Sequence, residues 1–219
     1  MSHIDDRFLD FLRELELNND RDWFKSRKKR FEQDVKAPFE ALVQEVIDVV
    51  TKVDPTIDIA PKDAVFRIYR DTRFSKDKTP YKTHMGAVVG PGGRRALDSI
   101  GVYFEVSGHR LGIASGLYMP DKDRLLAVRR LIMSRGAEMD KILKGAAFKR
   151  LYGELQGDKN KVLPKEFKEA AKLQPLLFNK QFYCWADYDP EQAKRQDLPN
   201  FVLQHYKAAL PLNEFLAEA

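Results

Sequence analysis

Within the run from Val65 to His84, six cationic side chains (Arg67, Arg70, Arg73, Lys76, Lys78, Lys82) stand among three aromatics (Tyr69, Phe74, Tyr81) and two acids (Asp71, Asp77), a net of +4 in twenty residues. Three arginines at intervals of three suit an oxyanion, because the guanidinium fork meets phosphate or carboxylate oxygens two at a time. Tyr69 and Tyr81 add faces on which a base can stack. The ligand-binding set expected from this run is Arg67, Tyr69, Arg70, Asp71, Arg73, Lys76, Lys78, Tyr81 and Lys82. Asp71 and Asp77 have two readings. Each orients a neighbouring arginine or lysine, or, ionised among cations, acts as a base or holds Mg²⁺ beside a phosphate. The whole run also has a structural reading, as an ion-pair network inside the fold in which acids such as Glu105 meet partly buried arginines.

No catalytic residue is assigned. Ser75 and Tyr81 lack a base nearby in sequence. The four histidines, His3, His84, His109 and His205, show no ligand spacing, so neither a metal site nor a cofactor is expected. His84 and His109 read as surface or satisfied strand histidines. Cys184, between Tyr183 and Trp185, reads as a small core hydrophobe. Gly90-Pro91-Gly92-Gly93 lacks the Gly-Lys-Ser/Thr ending of a phosphate loop and is read as a turn.

A second basic run, Lys25 to Arg30, carries +5. The two runs together hold +9 in a chain of net +5, so the remainder is −4. Two basic patches on a mildly acidic body create local fields, and they are expected to converge in space. The bland reading of the helical run is a solvated face with snorkelling stems. One cysteine permits no intramolecular disulfide and suits a reducing cytoplasm. No basic leader and no run of eighteen apolar residues is present, so the expectation is a soluble, cytoplasmic protein without membrane contact.

These residues need elements to position them. Phe8, Leu9, Phe11, Leu12, Leu15 and Leu17 recur at helical spacing. Asn19 or Asp20 then caps a longer helix carrying Phe24, Phe31, Val35, Phe39, Leu42, Val43, Val46, Ile47 and Val50, with Pro38 marking a kink or a fresh start. Val65 to Tyr69 alternates as a strand, with Phe66 and Ile68 facing the core and Arg67 and Tyr69 opposite. Strands are expected over His84–Val89, Ser99–Val106 and His109–Tyr118, the last two joined by a turn at Ser107-Gly108. Gly112, Ala114 and Gly116 leave room on one face for a packed helix or a flat ligand. A helix from Pro120 is expected to end at Gly136, and shorter pieces run to Tyr152. A polar loop follows over Gly153–Lys161, then a helix from Leu163, a strand over Phe182–Ala186 and a terminal helix from Pro199 to Phe215 broken by Pro211. The class is α+β: an antiparallel sheet of about four to six strands flanked by helices from both ends, in a single domain over residues 1–219.

The run Arg67-Ile68-Tyr69-Arg70-Asp71-Thr72-Arg73-Phe74-Ser75-Lys76-Asp77-Lys78-Thr79-Pro80-Tyr81-Lys82-Thr83-His84 resembles the signature of a family of uncharacterised bacterial and fungal proteins, domain of unknown function 2461. Asn18-Asn19 with Trp23-Phe24, Gly116-Leu117-Tyr118-Met119-Pro120 and Leu210-Pro211-Leu212 extend the resemblance over nearly the whole chain. It implies a single domain and gives weight to the central run. It implies no activity.

The function expected is an intracellular domain that binds a phosphate-bearing or other anionic ligand, nucleic acid being one candidate. The rivals are an enzyme acting on a phosphorylated or carboxylated small molecule with Asp71 as base or metal ligand, and a protein interaction module. Oligomeric state is not legible.

Overall fold

The structure, a computed structural model, describes residues 2–96 and 100–219. Its helices are α1 (Asp6–Leu17), α2 (Arg21–Ser26), α3 (Lys28–Arg30), α4 (Ala37–Val50), α5 (Pro61–Ala64), α6 (Lys122–Leu143), α7 (Ala146–Tyr152) and α8 (Leu198–Ala217). The strands β1 (His84–Val89), β2 (Val102–Ser107), β3 (Leu111–Leu117), β4 (Leu155–Gln156) and β5 (Phe182–Tyr188) form one antiparallel sheet in the order β1-β2-β3-β5-β4. The α+β class with helices at both ends of the chain is therefore the observed one. The expected strand start at Ser99 lies outside the described residues. Packing groups the chain into two compact units, described in turn. The first is Met1–Arg95 with Tyr103–Ile113 and Asp187–Leu203; the second is Ala96–Val102 with Ala114–Ala186 and Gln204–Ala219.

In the first unit the Asp5 carboxylate accepts the Phe8 amide at 3.2 Å and opens α1, which buries Phe8, Leu9, Phe11, Leu12 and Leu15. Asp20 opens α2 by accepting the amides of Asp22 and Trp23, both at 2.9 Å. A π-helical stretch, Phe31–Lys36, joins α3 to α4, with Arg30, Phe31, Lys36 and Ala37 all in the right-handed helical region. Pro38 thus follows a π-bulge in a continuing helix and does not mark a fresh start. Phe11 is ringed by Trp23, Phe24 and Phe31 at centroid distances of 5.6, 6.3 and 5.8 Å. Phe39 links this helical layer to Phe104 of β2 at 5.7 Å, so the layer packs on that strand. Gly93 has φ +58°, and a Cβ there would stand 2.4 Å from the Asp63 carbonyl oxygen; only glycine admits this turn.

Sequence periodicity misled at several places in the second unit. Asp121 caps α6 through the Arg124 amide at 2.8 Å, but the helix does not end at Gly136. It kinks at Arg135 (φ −127°, ψ 35°) and runs on to Leu143. Arg135 is held there by Glu138 and Glu218, and the Gln174 amide donates to Asp140 Oδ1 at 3.1 Å across the kink. The helix expected from Leu163 is a series of 3₁₀ turns even though Leu163, Phe167, Ala171, Gln174 and Leu177 are buried at helical spacing; Pro175 takes an N–H out of the ladder at the head of the last turn, and Leu173 is 91 % exposed. The polar segment after Gly153 contributes β4, pairing Leu155 with Cys184 and Gln156 with Tyr183. Pro211 does not break α8, since burial of Leu212, Phe215 and Leu216 offsets the lost hydrogen bond. At Gly116 (φ +103°) the close neighbour is neither helix nor ligand but the β5 backbone: a Cβ would lie 2.4 Å from the Phe182 oxygen. Burial pushes the Cys184 thiol up to about 12, and it donates to the Ser115 carbonyl at 3.4 Å. Among the described residues, no helix is long and apolar enough to cross a membrane.

Candidate functional site

The central run folds back on itself. Val65 pairs with Ala87 and Tyr69 with Tyr81 in antiparallel bridges. The Phe66 amide donates to Gly86 O (2.9 Å), Lys82 to Ile68 O (2.8 Å) and Arg70 to Pro80 O (2.9 Å). Two more residues lie between Tyr81 and Ala87 than between Val65 and Tyr69, so the ladder bulges between Lys82 and Gly86. An offset of two residues keeps the alternation of faces. Ile68 is buried and Arg67 is exposed, as alternation requires. Phe66, however, is only half-buried, with its ring 6.1 Å from that of Tyr103 and Lys82 Nζ 5.1 Å from its centroid.

The loop between the two arms is tied to itself. Arg70 pairs with Asp77 and with the Thr79 hydroxyl. Arg73 grips Asp71 with Nε at 3.0 Å and Nη2 at 2.7 Å, and Lys78 Nζ donates to the Thr72 carbonyl at 2.8 Å. Hydrogen bonds from Arg73 and Arg70 hold the Asp71 and Asp77 carboxyls down to about 2, which suits orienting groups and makes them weak bases near neutrality. Of the six cations, only Arg70 and Arg73 make an ion pair among the described residues; Lys78 is held by the Thr72 carbonyl, and Arg67, Lys76 and Lys82 have neither. Tyr69 is 50 % exposed and Phe74 is 94 % exposed. Tyr81, expected as a stacking surface, is 6 % exposed and already stacked on Phe24 at 4.1 Å.

That stack brings the two basic runs onto adjacent elements. Asn19 adds a clamp: its Nδ2 donates to Tyr81 O (3.0 Å) and its Oδ1 accepts the Tyr81 amide (3.1 Å). Lys25, Lys28 and Lys29 of the helical run are exposed, Arg27 lies over the Trp23 ring at 4.6 Å, and Arg30 pairs with Glu14 at 2.7 Å.

Beside Lys82 lies a polar cluster that the central run alone does not contain. Glu105 is 4 % exposed in the middle of β2. Its Oε2 accepts the Tyr103 hydroxyl at 2.6 Å, and its Oε1 accepts Arg110 Nε and Nη2 at 3.0 and 2.6 Å. Arg110 Nε is also 3.8 Å from Asp187. His84 Nε2 stands 3.7 Å from Glu105 Oε2, close enough for charge attraction but beyond a hydrogen bond. Gly86 makes room, since a Cβ there would lie 2.7 Å from the Tyr103 hydroxyl. Burial raises the Glu105 carboxyl, but His84 and the hydrogen bonds from Tyr103 and Arg110 outweigh it and leave the group below the ordinary value. Burial and then the Arg67 charge lower the Lys82 ammonium, against the pull of Glu105. Burial likewise lowers His84, with Lys82 and Arg110 acting in the same direction and Glu105 against.

Tyr103, Glu105, Arg110 and His84 were absent from the site expected from sequence. The available signal was a glutamate alternating with Val102, Phe104 and Val106 in an apolar strand, a position at which an acid needs partners. Among the described residues, no group of three or more histidine, cysteine or acidic side chains is placed to hold a metal ion. Two open grooves, of about 530 and 430 Å³, lie in the second unit and do not involve the basic hairpin.

No curated protein matches the chain significantly. The family model described as Conserved hypothetical protein (DUF2461) matches residues 7–215, a span that takes in the whole hairpin, the Asn19 clamp and the Glu105 cluster. The chain belongs to that family.

Proposed function

We propose that the protein binds a phosphate-bearing or other anionic ligand on the face of the hairpin that carries Arg67 and Lys82. The observation that supports this is a pair of like charges without a paired acid. Lys82 is half-buried over Phe66 and lowered by the Arg67 charge, while neither cation has an ion-pair partner among the described residues. Holding two cations together raises the free energy of the empty site, and an oxyanion reverses that sign. Arg70 and Arg73 are committed within the loop and serve as its braces. Asp71, clamped and strongly acidic, supports an orienting role better than a basic one. A cytoplasmic setting fits the single buried thiol of Cys184.

Single-stranded nucleic acid is a second reading, favoured by the exposed rings of Tyr69 and Phe74 beside Lys25, Lys28 and Lys29. Titration with inorganic sulfate and with single-stranded oligonucleotides at two salt concentrations separates the two. Arg67→Ala and Lys82→Ala should each weaken sulfate binding about tenfold, the value of one charge-assisted hydrogen bond. An oligonucleotide ligand should show steep salt dependence, and each phosphate-contacting lysine removed should lower the log-log slope by about one. Absence of saturable binding at low salt, or binding indifferent to both variants, overturns the proposal.

A further inference from the structure

We propose that His84 is a third, proton-dependent member of the Arg67–Lys82 anion site, so that a dianionic oxyanion, of the phosphate monoester class, binds together with one proton. The inference rests on the anion-binding reading above and deepens it. Its ground is the contrast between His84 and everything around it. Both oxygens of Glu105 are occupied, one by Tyr103 and the other by two Arg110 donors. The His84 ring makes no hydrogen bond among the described residues, yet its side chain is only 31 % exposed and its Nε2 lies 3.7 Å from Glu105 Oε2. A half-buried imidazole without hydrogen bonds, two residues along from an unpaired lysine, has donor capacity that a ligand can use.

The charges that face His84 come from several elements. Lys82 precedes it on the hairpin, with Arg67 acting on Lys82 in turn. Glu105 and Tyr103 come from β2, Arg110 stands at the start of β3, and Asp187 of β5 approaches Arg110. Asp71 acts on Arg67 from the loop, so three cations stand against the buried Glu105 and two more distant acids; burial, Lys82 and Arg110 favour the neutral ring in the empty site against the pull of Glu105. A bound dianion changes the balance. It neutralises the field of Arg67 and Lys82 and offers an acceptor, so the imidazole lone pair takes a proton from solvent and the ring becomes a further N–H donor. By linkage, affinity rises as pH falls through the bound-state pKa of His84, and binding takes up at most one proton.

Sulfate is the probe, because it stays a dianion across this range and its own titration cannot supply the proton. Calorimetry near neutral pH in two buffers of different ionisation heat should show fractional proton uptake in the wild type and none in His84→Gln. Wild-type affinity should tighten about tenfold from about pH 8 to about pH 5.5, while His84→Gln stays flat. NMR of the wild-type imidazoles gives a readout independent of any variant. Sulfate should raise the pKa of His84. Sulfate binding that is weakened by Arg67→Ala and Lys82→Ala but takes up no proton overturns this inference alone. Absence of sulfate binding overturns it together with the reading on which it rests.

Discussion

Arg67 and Ile68 are chain neighbours with opposite tasks. Ile68 is 5 % exposed and its carbonyl receives the Lys82 amide, whereas Arg67 is exposed. Ile68→Ala should leave a cavity and cost about 2 to 5 kcal/mol. Arg67→Ala should stay within about 0.5 kcal/mol of wild type, as surface changes without packing do, and weaken anion binding instead. Thermal denaturation of both variants checks this, and an Arg67→Ala protein as unstable as Ile68→Ala would place the arginine in a buried network. The contrast between these two residues was legible from alternation. The fate of Tyr81 was not. Tyr69 and Tyr81 look equivalent in sequence, but Phe24, some sixty residues earlier, covers one ring and leaves the other half open.

At the scale of elements, the hairpin is positioned by its clamp to the segment between α1 and α2. Asn19 satisfies both the amide and the carbonyl of Tyr81. Asn19→Ala should cost about 1 to 3 kcal/mol, since two partly buried backbone groups lose their partner. Hydrogen exchange should quicken at the Arg70 and Lys82 amides, which hold the hairpin ladder, while the α1 amides keep their protection. Unchanged exchange in the hairpin would mean that the Phe24–Tyr81 stack positions it without help. Capping and alternation marked the starts of α1, α2 and α6 and the course of β1, β2 and β3, because those signals lie within a few residues. The continuation of α6 past Gly136 was hidden, because Glu218 and Gln174, which hold the kink, are far along the chain.

For the molecule as a whole, the lowered imidazole and carboxyl groups act on stability in one direction. His84 binds its proton less readily in the folded chain than at the ordinary imidazole value of 6.5, so below that value the unfolded chain carries the extra proton and stability falls as pH drops. Glu105, Asp71 and Asp77 are lowered by folding; their contribution is complete above the ordinary carboxylate range and is lost as pH falls towards the folded values, about 2 for the two aspartates. The exposed aspartate pairs add little, so the acid stage should follow Glu105 mainly. Urea denaturation between about pH 7 and about pH 2 should show stability decreasing in two stages, with the first absent in His84→Gln. Greater stability at about pH 5 than at about pH 7 would contradict the assignment of a lowered imidazole.

Composition and local spacing by themselves determined the α+β class, the helices at both ends, the antiparallel run of strands and the concentration of positive charge in two short segments. These follow from interactions between residues a few positions apart: a cap and its amides, apolar side chains one helical turn apart, alternate residues on one face of a strand. Only the tertiary structure decided that half of the basic run braces its own loop, that a bulge interrupts the hairpin between Lys82 and Gly86, that the Phe66 ring meets Tyr103, and that His84, Glu105 and Arg110 come together. The reason is physical. Strand register and side-chain burial are set by partners distant in the chain, and a one-residue change in pairing reverses the face on which every following side chain lies.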